Sequence, residues 1–400
     1  MTGQFENSKR KSCTWNAHKI RIMRIFSIYL YMIAFEPERP FNQLPLLPPH
    51  RNEVETLAIL RQESRAATAL AELKGLSRLL PNPDILINAL VLKEAKASSE
   101  IENIITTDDK LYQAMTLKGQ PVDTATKEVL HYRQALYTGY RFIKEKGFLS
   151  TNGIIQIQQE LDRTVARQNQ AGIRRLPGTS LRNDRTKQVI YTPPDDTAIL
   201  NQLMRNLEEY LNSHQPDEVS ALIKLAVQHY QFESIHPFYD GNGRTGRIIN
   251  VLYLILHGLL GEPILYLSGY IITNKADYYR LLQEVRTENN WSDWILFMLQ
   301  AVEVTALQTI EQITRIQALF DITVERVRTE LPKVYNKELV EVLFEYPYSK
   351  IEFLVERLNI DRRTASKYLR LLVDADVLKV EQKWKETLFI NHHLVALLQE

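Results

Sequence analysis

The sequence has one cysteine, Cys13, in 400 residues. That excludes an intrachain disulfide framework and any Cys-rich zinc site, and it fits a reducing, cytoplasmic setting. Glycine and proline are sparse, 14 and 16 residues, so collagen-like and low-complexity architectures fall away. Neither charge sign dominates: 49 Lys plus Arg stand against 48 Asp plus Glu, a net of +1. No global field steers such a chain toward nucleic acid or an anionic membrane, so any such contact needs a local patch. Membrane-spanning apolar runs are lacking too. The run Ile25 to Phe35 is eleven residues, too short for a comfortable span. It follows the basic stretch Lys9 to Arg24, as in a signal peptide, but leads straight into Glu36-Pro37-Glu38-Arg39-Pro40 with no small-residue cleavage site. Two readings stand for residues 1–35: a signal peptide, or an extension that is disordered or not translated, with Met23 or Met32 as the start. The domain plan below takes the second.

What is present is ordinary globular material, 44% apolar and 24% charged, long enough for two or three domains. Global disorder is excluded, because this composition buries enough apolar surface to offset ordering entropy. Residues 36–50 are Pro-rich and read as an extended arm or linker. From Asn52 to about Lys74 apolar residues recur near 3.6-residue spacing, with Gly75 as the helix end. A second helix starts near Asp84 and runs to Glu102, where Asn103 suits a left-handed end. Further helices are predicted over 122–146, from Ser150-Thr151-Asn152 onward, and over 195–212, 217–234, 244–258, 275–288 and 290–332. The helix 244–258 is apolar nearly all round, which makes it the central core helix. Residues 172–195 break this texture. Pro177-Gly178 and Asn183-Asp184 mark turns, and Val189 to Thr192 has strand character, so a short hairpin is expected. The last segment differs again: short helices at 337–346, 350–358 and 361–374, then strand-like runs at 377–380 and 387–390. Three helices and a β-hairpin make the winged helix-turn-helix pattern. The fold class is therefore all-α with a small β-hairpin flap and a C-terminal winged module. The plan is 36–120, 121–330 and 335–400 after the N-terminal extension.

One stretch carries chemistry: His236-Pro237-Phe238-Tyr239-Asp240-Gly241-Asn242-Gly243-Arg244-Thr245-Gly246-Arg247. His236 ends a helix, where the C-terminal partial negative charge favours imidazolium and suits a general base. Asp240 is a hard oxygen ligand for Mg²⁺. Gly241-Asn242-Gly243 opens the next helix, and exposed N–H groups there form an anion cradle. Arg244 and Arg247 are i, i+3, so both guanidiniums leave one side of the first turn. Forked cations, an N–H cradle and a carboxylate within twelve residues describe a polyphosphate site with its metal. Singly, each of these features is ordinary structure: a helix-end His, a turn, a solvated pair of arginines.

The stretch resembles the core motif of Fic-domain proteins, His-x-Phe-x-(Asp/Glu)-Gly-Asn-Gly-Arg-x-x-Arg, at every specified position. The resemblance extends over about residues 36 to 330, with a winged-helix tail seen in some members. It implies an all-helical fold with a hairpin flap beside the site. It also implies a protein adenylyltransferase, which moves AMP from ATP to a Ser, Thr or Tyr hydroxyl of a target protein, or of itself, and releases pyrophosphate. By the same resemblance His236 deprotonates the hydroxyl, and Asp240 holds Mg²⁺ between the α- and β-phosphates. Asn242 and the backbone of Gly241 and Gly243 stabilise the transferring phosphoryl group. Arg244 and Arg247 hold the β- and γ-phosphates, Thr245 and Gly246 complete the ATP-binding segment, and Phe238 anchors the loop in the core. Tyr278 and Tyr279 match the adenine-side pair, although core packing accounts for them equally well. Thr179, Ser180 and Leu181 of the flap would clamp the target by strand addition.

A second motif, Ser98-Ser99-Glu100-Ile101-Glu102-Asn103, fits the family's inhibitory helix, (Ser/Thr)-x-x-x-Glu-(Gly/Asn). Ser98 and Glu102 share one helix face. The resemblance implies that Glu102 pairs with Arg247 and fills the place of a γ-phosphate, so that ATP binds unproductively. The same Glu could help hydrolyse AMP from modified targets. In the C-terminal module the helix 361–374 carries Arg362, Arg363, Lys367 and Arg370, which offer donors to DNA; dimerisation or target contact is the alternative role. A different class of function also stands, a DNA-binding transcriptional regulator with a nucleotide-sensing Fic domain. Expected partners are ATP, a target protein, a second copy of the chain and DNA through the C-terminal domain, with no membrane.

Overall fold

The computed structural model describes residues 35–77, 83–117, 119–164, 172–183, 185–215 and 218–399. The readings made for residues 1–34 lie outside them. Helices dominate, and short polar residues start most of them. Thr107 caps α4 (Asp108–Thr116) by accepting from Lys110 N, and Asp123 caps α5 (Thr124–Lys146) by accepting from Thr126 N. Ser150 does the same for α6 (Thr151–Leu161), Asp196 for α7 (Thr197–Asn212) and Ser220 for α8 (Ala221–Ile235). Gly147 ends α5 in the left-handed conformation, at φ +73°.

The centre is the antiparallel pair α8 and α9 (Asn242–Leu256), both buried on nearly every face. Residues of α9 between Asn242 and Ile255 are buried except Gly243, as expected for a helix apolar all round. Around the pair pack α5, α6, α7, α10 (Leu267–Thr273), α11 (Lys275–Glu288) and the 40-residue α12 (Trp291–Glu330). Trp294 of α12 donates its indole N–H to Ala226 O at 2.8 Å and is fully buried. Along α12 lies α2 (Leu57–Ser77), preceded by the single turn α1 (Arg51–Val54). The Pro-rich arm buries Phe41, Leu44 and Leu47 and ties Leu47 to Asn206 of α7.

The helix α3 (Pro83–Ile101) packs on α5 and α10 and ends beside the start of α9. Asn103 follows it at φ +63°, as its sequence position suggested. The flap strands β1 (Leu181–Arg182) and β2 (Val189–Tyr191) pair antiparallel. Asn183 Oδ1 accepts from the backbone of Arg185 and Thr186 to turn the chain between them; Asp184 is outside the described residues. Tyr191 anchors the flap: it is buried, donates to Ser234 O at 2.7 Å, and lies 4.1 Å from the Arg286 guanidinium.

The C-terminal module comprises α13 (Lys337–Glu345), β3 (Tyr348–Ser349), α14 (Ile351–Leu358), α15 (Arg362–Asp374), β4 (Lys379–Lys383), β5 (Glu386–Ile390) and α16 (His392–Gln399), with sheet order β3-β5-β4. α14 and α15 meet through a three-residue turn, Asn359 at φ +51° and Asp361 capping α15. This is the helix-turn-helix and hairpin that the sequence pattern predicts.

Some boundaries differ from expectation. The helix drawn to end at Gly75 continues to Ser77, since one exposed glycine near a helix end costs only about 1 kcal/mol. The stretch 52–74 divides into α1 and α2. α9 begins at Asn242, two residues early, because Gly241 at φ +78° caps it. Three short helices, α4, α10 and α16, and the two-residue β3 carry too little periodicity to be predicted.

Candidate active site

The motif loop joins the C-terminus of α8 to the N-terminus of α9. His236 is the residue after α8 and takes the left-handed conformation, φ +48° and ψ 58°. That conformation is uncommon outside glycine and needs support. His236 N donates to Phe232 O at 2.9 Å, closing the helix. Buried Arg174, from the segment before the flap, donates its Nε to His236 O at 2.9 Å and its backbone N to Pro237 O at 2.8 Å. Its Nη2 reaches Pro194 O on the far side of the flap. One guanidinium thus joins the motif loop to both ends of the flap. No local pattern marked Arg174, because its partners lie 20 to 62 residues away.

The imidazole departs from expectation. Helix-end charge favoured imidazolium, but burial, then Arg174 and Arg286, pull the His236 pKa down to about 4. Its Nδ1 has no hydrogen-bond partner among the described residues. The ring is neutral at physiological pH, so it already has a lone pair for a proton.

Phe238 is fully buried, and its backbone is gripped by Asn242. Phe238 N donates to Asn242 Oδ1 at 2.9 Å, and Asn242 Nδ2 donates to Phe238 O at 2.8 Å. Those two bonds make the Asn242 side chain the clamp that shapes the loop, with one N–H of its amide nitrogen left over. Also left for an anion are the backbone N–H groups of Asn242, Gly243 and Arg244 in the first turn of α9. Tyr239 Oη accepts from the backbone N–H of both Arg175 and Leu176 at 3.0 Å, a second tie between loop and flap.

The two arginines face different helices. Arg244 Nη1 lies 3.2 Å from Glu128 of α5, and its Nη2 lies 3.9 Å from Asp240. Arg247 is 1% exposed and engages the end of α3. Its Nε donates to Ser98 Oγ at 2.7 Å, and its Nη2 donates to Ser98 O at 2.9 Å and Glu102 Oε1 at 2.8 Å. A methyl group built on Gly243 would collide with Glu102 Oε1 and come within 3.0 Å of Arg247 Nη1. The Glu102 carboxylate therefore rests directly on the first turn of α9. Burial raises its pKa, but Arg247, with Arg244 and His236 behind it, outweighs that and holds it below the ordinary carboxylate range. The Glu102 charge in turn raises Arg247 despite its burial. Lys275 Nζ donates to Ile101 O at 2.6 Å and closes the end of α3.

Other expected site residues sit elsewhere. Thr245 is fully buried, and Gly246 faces α8: a Cβ there would press on Phe232 and on the Glu233 carboxylate. Both pack in the interface between α8 and α9. Tyr278 is 1% exposed and shares a 2.9 Å hydrogen bond with His229 Nε2, so it belongs to the core; Tyr279 packs edge-on against it and is 46% exposed. Thr179, Ser180 and Leu181 line the half-exposed flap. Glu233 escaped the sequence reading. It is 8% exposed one turn before His236, its Oε1 has no partner among the described residues, and burial raises its pKa to about 7 against the pull of Arg247.

Asp240 is 47% exposed at the mouth of the cradle. Its Oδ1 accepts from Gly241 N at 2.7 Å. A single carboxylate beside a phosphate cradle fits Mg²⁺, which is usually held by one or two carboxylates plus substrate phosphates. Arg244 Nε is a buried donor with no partner among the described residues. A carboxylate, a buried guanidinium donor and the N–H groups that open α9 thus meet on a helical scaffold.

Comparison with known proteins gives that scaffold a family. The Fic/DOC family N-terminal model matches residues 60–141, the Fic/DOC family model residues 148–254, and the protein adenylyltransferase SoFic-like C-terminal domain model residues 319–394. The chain belongs to the Fic/DOC family. Protein adenylyltransferase Fic of Drosophila mojavensis is 31% identical over 112 residues, 28% of this chain and 20% of that protein. Protein adenylyltransferase Fic of Aedes aegypti is 24% identical over 204 residues, 51% of this chain and 38% of that protein. The chain thus covers well under half the length of these curated relatives. A Fic family protein from Desulfovibrio desulfuricans G20 shares the fold, with TM-score 0.55 and 18% identity over 86% of this chain and 98% of that one. Fic-1 (residues 134–508) from C. elegans aligns with TM-score 0.50 and 18% identity over 64% of this chain and 72% of that one. Among the described residues no helix is long and apolar enough to cross a membrane.

Proposed function

We propose that this chain transfers AMP from ATP to a hydroxyl of a protein target, and that Glu102 holds the reaction off. The observation that carries the reading is the seat of the Glu102 carboxylate, on Arg247 and over Gly243. An anion supplied by the chain itself already sits on Arg247, over the first turn of α9. A triphosphate in the N–H cradle would bring its outer phosphates against Arg244 and Arg247. With Arg247 engaged by Glu102 and Ser98, the phosphates settle elsewhere and the α-phosphorus is misaligned.

Once Glu102 withdraws, the target hydroxyl oxygen attacks the α-phosphorus and forms the new P–O bond. The bond between that phosphorus and the bridging oxygen to the β-phosphorus breaks, and pyrophosphate leaves. The proton of the hydroxyl goes to the neutral His236 imidazole. A pKa of about 4 makes the ring available but weakly basic; the negative triphosphate beside it raises that basicity as the complex forms. Asp240 would hold Mg²⁺, which when bound supplies charge neutralisation across the phosphates. The backbone N–H groups at the start of α9 receive the negative charge that grows on the transferring group. The flap, fixed by Tyr191, Tyr239 and Arg174, leaves Thr179 to Leu181 to line a target segment. The curated relatives named above are protein adenylyltransferases, which supports the same reaction class.

The test uses ATP labelled at the α- or at the γ-phosphorus. Glu102→Gly is expected to label protein from the α label alone, and more than wild type by between about 5- and 150-fold. Label from the γ position would mean phosphate transfer and contradict the reading. His236→Ala in the same background is expected to lose about a hundredfold or more.

A further inference from the structure

The catalytic reading leaves the C-terminal module without a task, yet its surface is not neutral ground. Residues 337–399 carry ten Lys and Arg and ten Asp and Glu. The balance hides a segregation: from Arg362 to Leu371 there are four cations and no carboxylate. On α15 the exposed Arg363, Lys367 and Arg370 follow i, i+4, i+7, one continuous stripe. Arg362, at the same end, is engaged by Glu352. Among the described residues Arg363, Lys367 and Arg370 have no carboxylate partner. Ser366 and Thr364 stand between the cations, and these residues line an open groove of about 810 Å³ together with Ile351 and Leu371.

We propose that this stripe binds duplex DNA, with α15 laid in the major groove. Three free cations from Arg363 to Arg370 span about 10 Å of helix, and a DNA duplex offers a phosphate charge about every 1.7 Å of its axis. The major groove admits an α-helix, and helix-turn-helix geometry leaves the second helix free to enter it. α15 has that position: the turn at Asn359 to Asp361 sets it off from α14, and its apolar face, Ala365, Leu369 and Leu372, is buried. The chemistry disfavours other polyanions. None of the exposed large hydrophobic side chains lies on α15, so nothing there would insert into a lipid surface. A-form RNA has a major groove too deep and narrow for a helix. Trp384 at the hairpin tip is exposed and borders a cleft with α4 and the start of α5, not the groove of α15.

The experiment is fluorescence anisotropy of a labelled mixed-sequence DNA duplex with the full chain. Binding at about 50 mM salt should weaken by about 40-fold at about 200 mM, as three released counterions require. The combined variant Arg363→Glu, Lys367→Glu and Arg370→Glu should abolish binding while its thermal unfolding stays at the wild-type temperature. Lys367→Ala alone should lower the salt slope by about one. No binding at the lower salt, equal binding by the triple variant, or equal competition by duplex RNA or by anionic vesicles would overturn the proposal. None of these readouts depends on AMP transfer.

Discussion

Glu102 and Arg247 form the pair on which the account turns. Arg247 is buried and would be costly to leave unpaired, so whatever displaces Glu102 must present another anion. A γ-phosphate is such an anion, and the competition between the two acids is the proposed regulation in chemical terms. Because Arg247 holds Glu102 ionised well below neutral pH, protonation does not release it between about pH 6 and pH 9. Glu233 behaves oppositely. Its folded pKa of about 7 lies above the ordinary carboxylate value of 4.5, so the folded state takes up a proton in the window between them. Stability contributed by the protonated form is complete below about pH 4.5, is lost as pH rises to about 7, and is level beyond. Glu233→Gln removes that dependence. The variant's stability relative to wild type should improve by up to roughly 3 kcal/mol from about pH 5 to about pH 8, read by urea unfolding. A gap that does not change with pH would contradict this picture of Glu233.

At the scale of elements, α3, whose end carries Glu102 to Arg247, is held from behind. α4 follows α3 by six residues, and the C-terminal module docks on both. Tyr348 of β3 stacks on Tyr112 of α4 with ring centroids 5.4 Å apart. Its hydroxyl donates to Asp109 at 2.6 Å, and its backbone O accepts from Thr116 at 3.1 Å. α13 packs against α3 itself. Tyr348→Ala should loosen α4 and, through it, Glu102. If the loss is about 1 kcal/mol of restraint, AMP transfer by the otherwise wild-type chain rises about fivefold. The same substitution placed on Glu102→Gly should add nothing, since the restraint then has nothing to hold. An additive gain in the double variant would place the effect outside the inhibitory helix.

What could be read in the sequence follows from how local each signal is. The motif 236–247 is contiguous, so its spacing alone brings an imidazole, a carboxylate, the N–H groups of a helix start and two cations to one loop. The long helices declare themselves by periodicity, and the flap by its turns and β-branched residues. Arg174, Glu128 and Glu233 escape because each matters through a partner on another element, and nothing in their own neighbourhoods marks them. Asn242 carries a second task that its place in the motif did not signal: its amide clamps the Phe238 backbone. Helix-end charge misled at His236, where burial and two arginines outweigh it.

For the whole molecule, inhibitor, cradle, flap and C-terminal module form one continuous helical body around α8 and α9. On the proposed reading the catalytic residues are already in place, and only Glu102 stands where the γ-phosphate would go. Intact-mass spectrometry of wild type, Glu102→Gly and His236→Ala after incubation with ATP and Mg²⁺ tests this most directly. The account predicts an added AMP mass that is abundant on Glu102→Gly, scarce on wild type and missing from His236→Ala. Equal adducts on wild type and Glu102→Gly, or an undiminished adduct on His236→Ala, would contradict it.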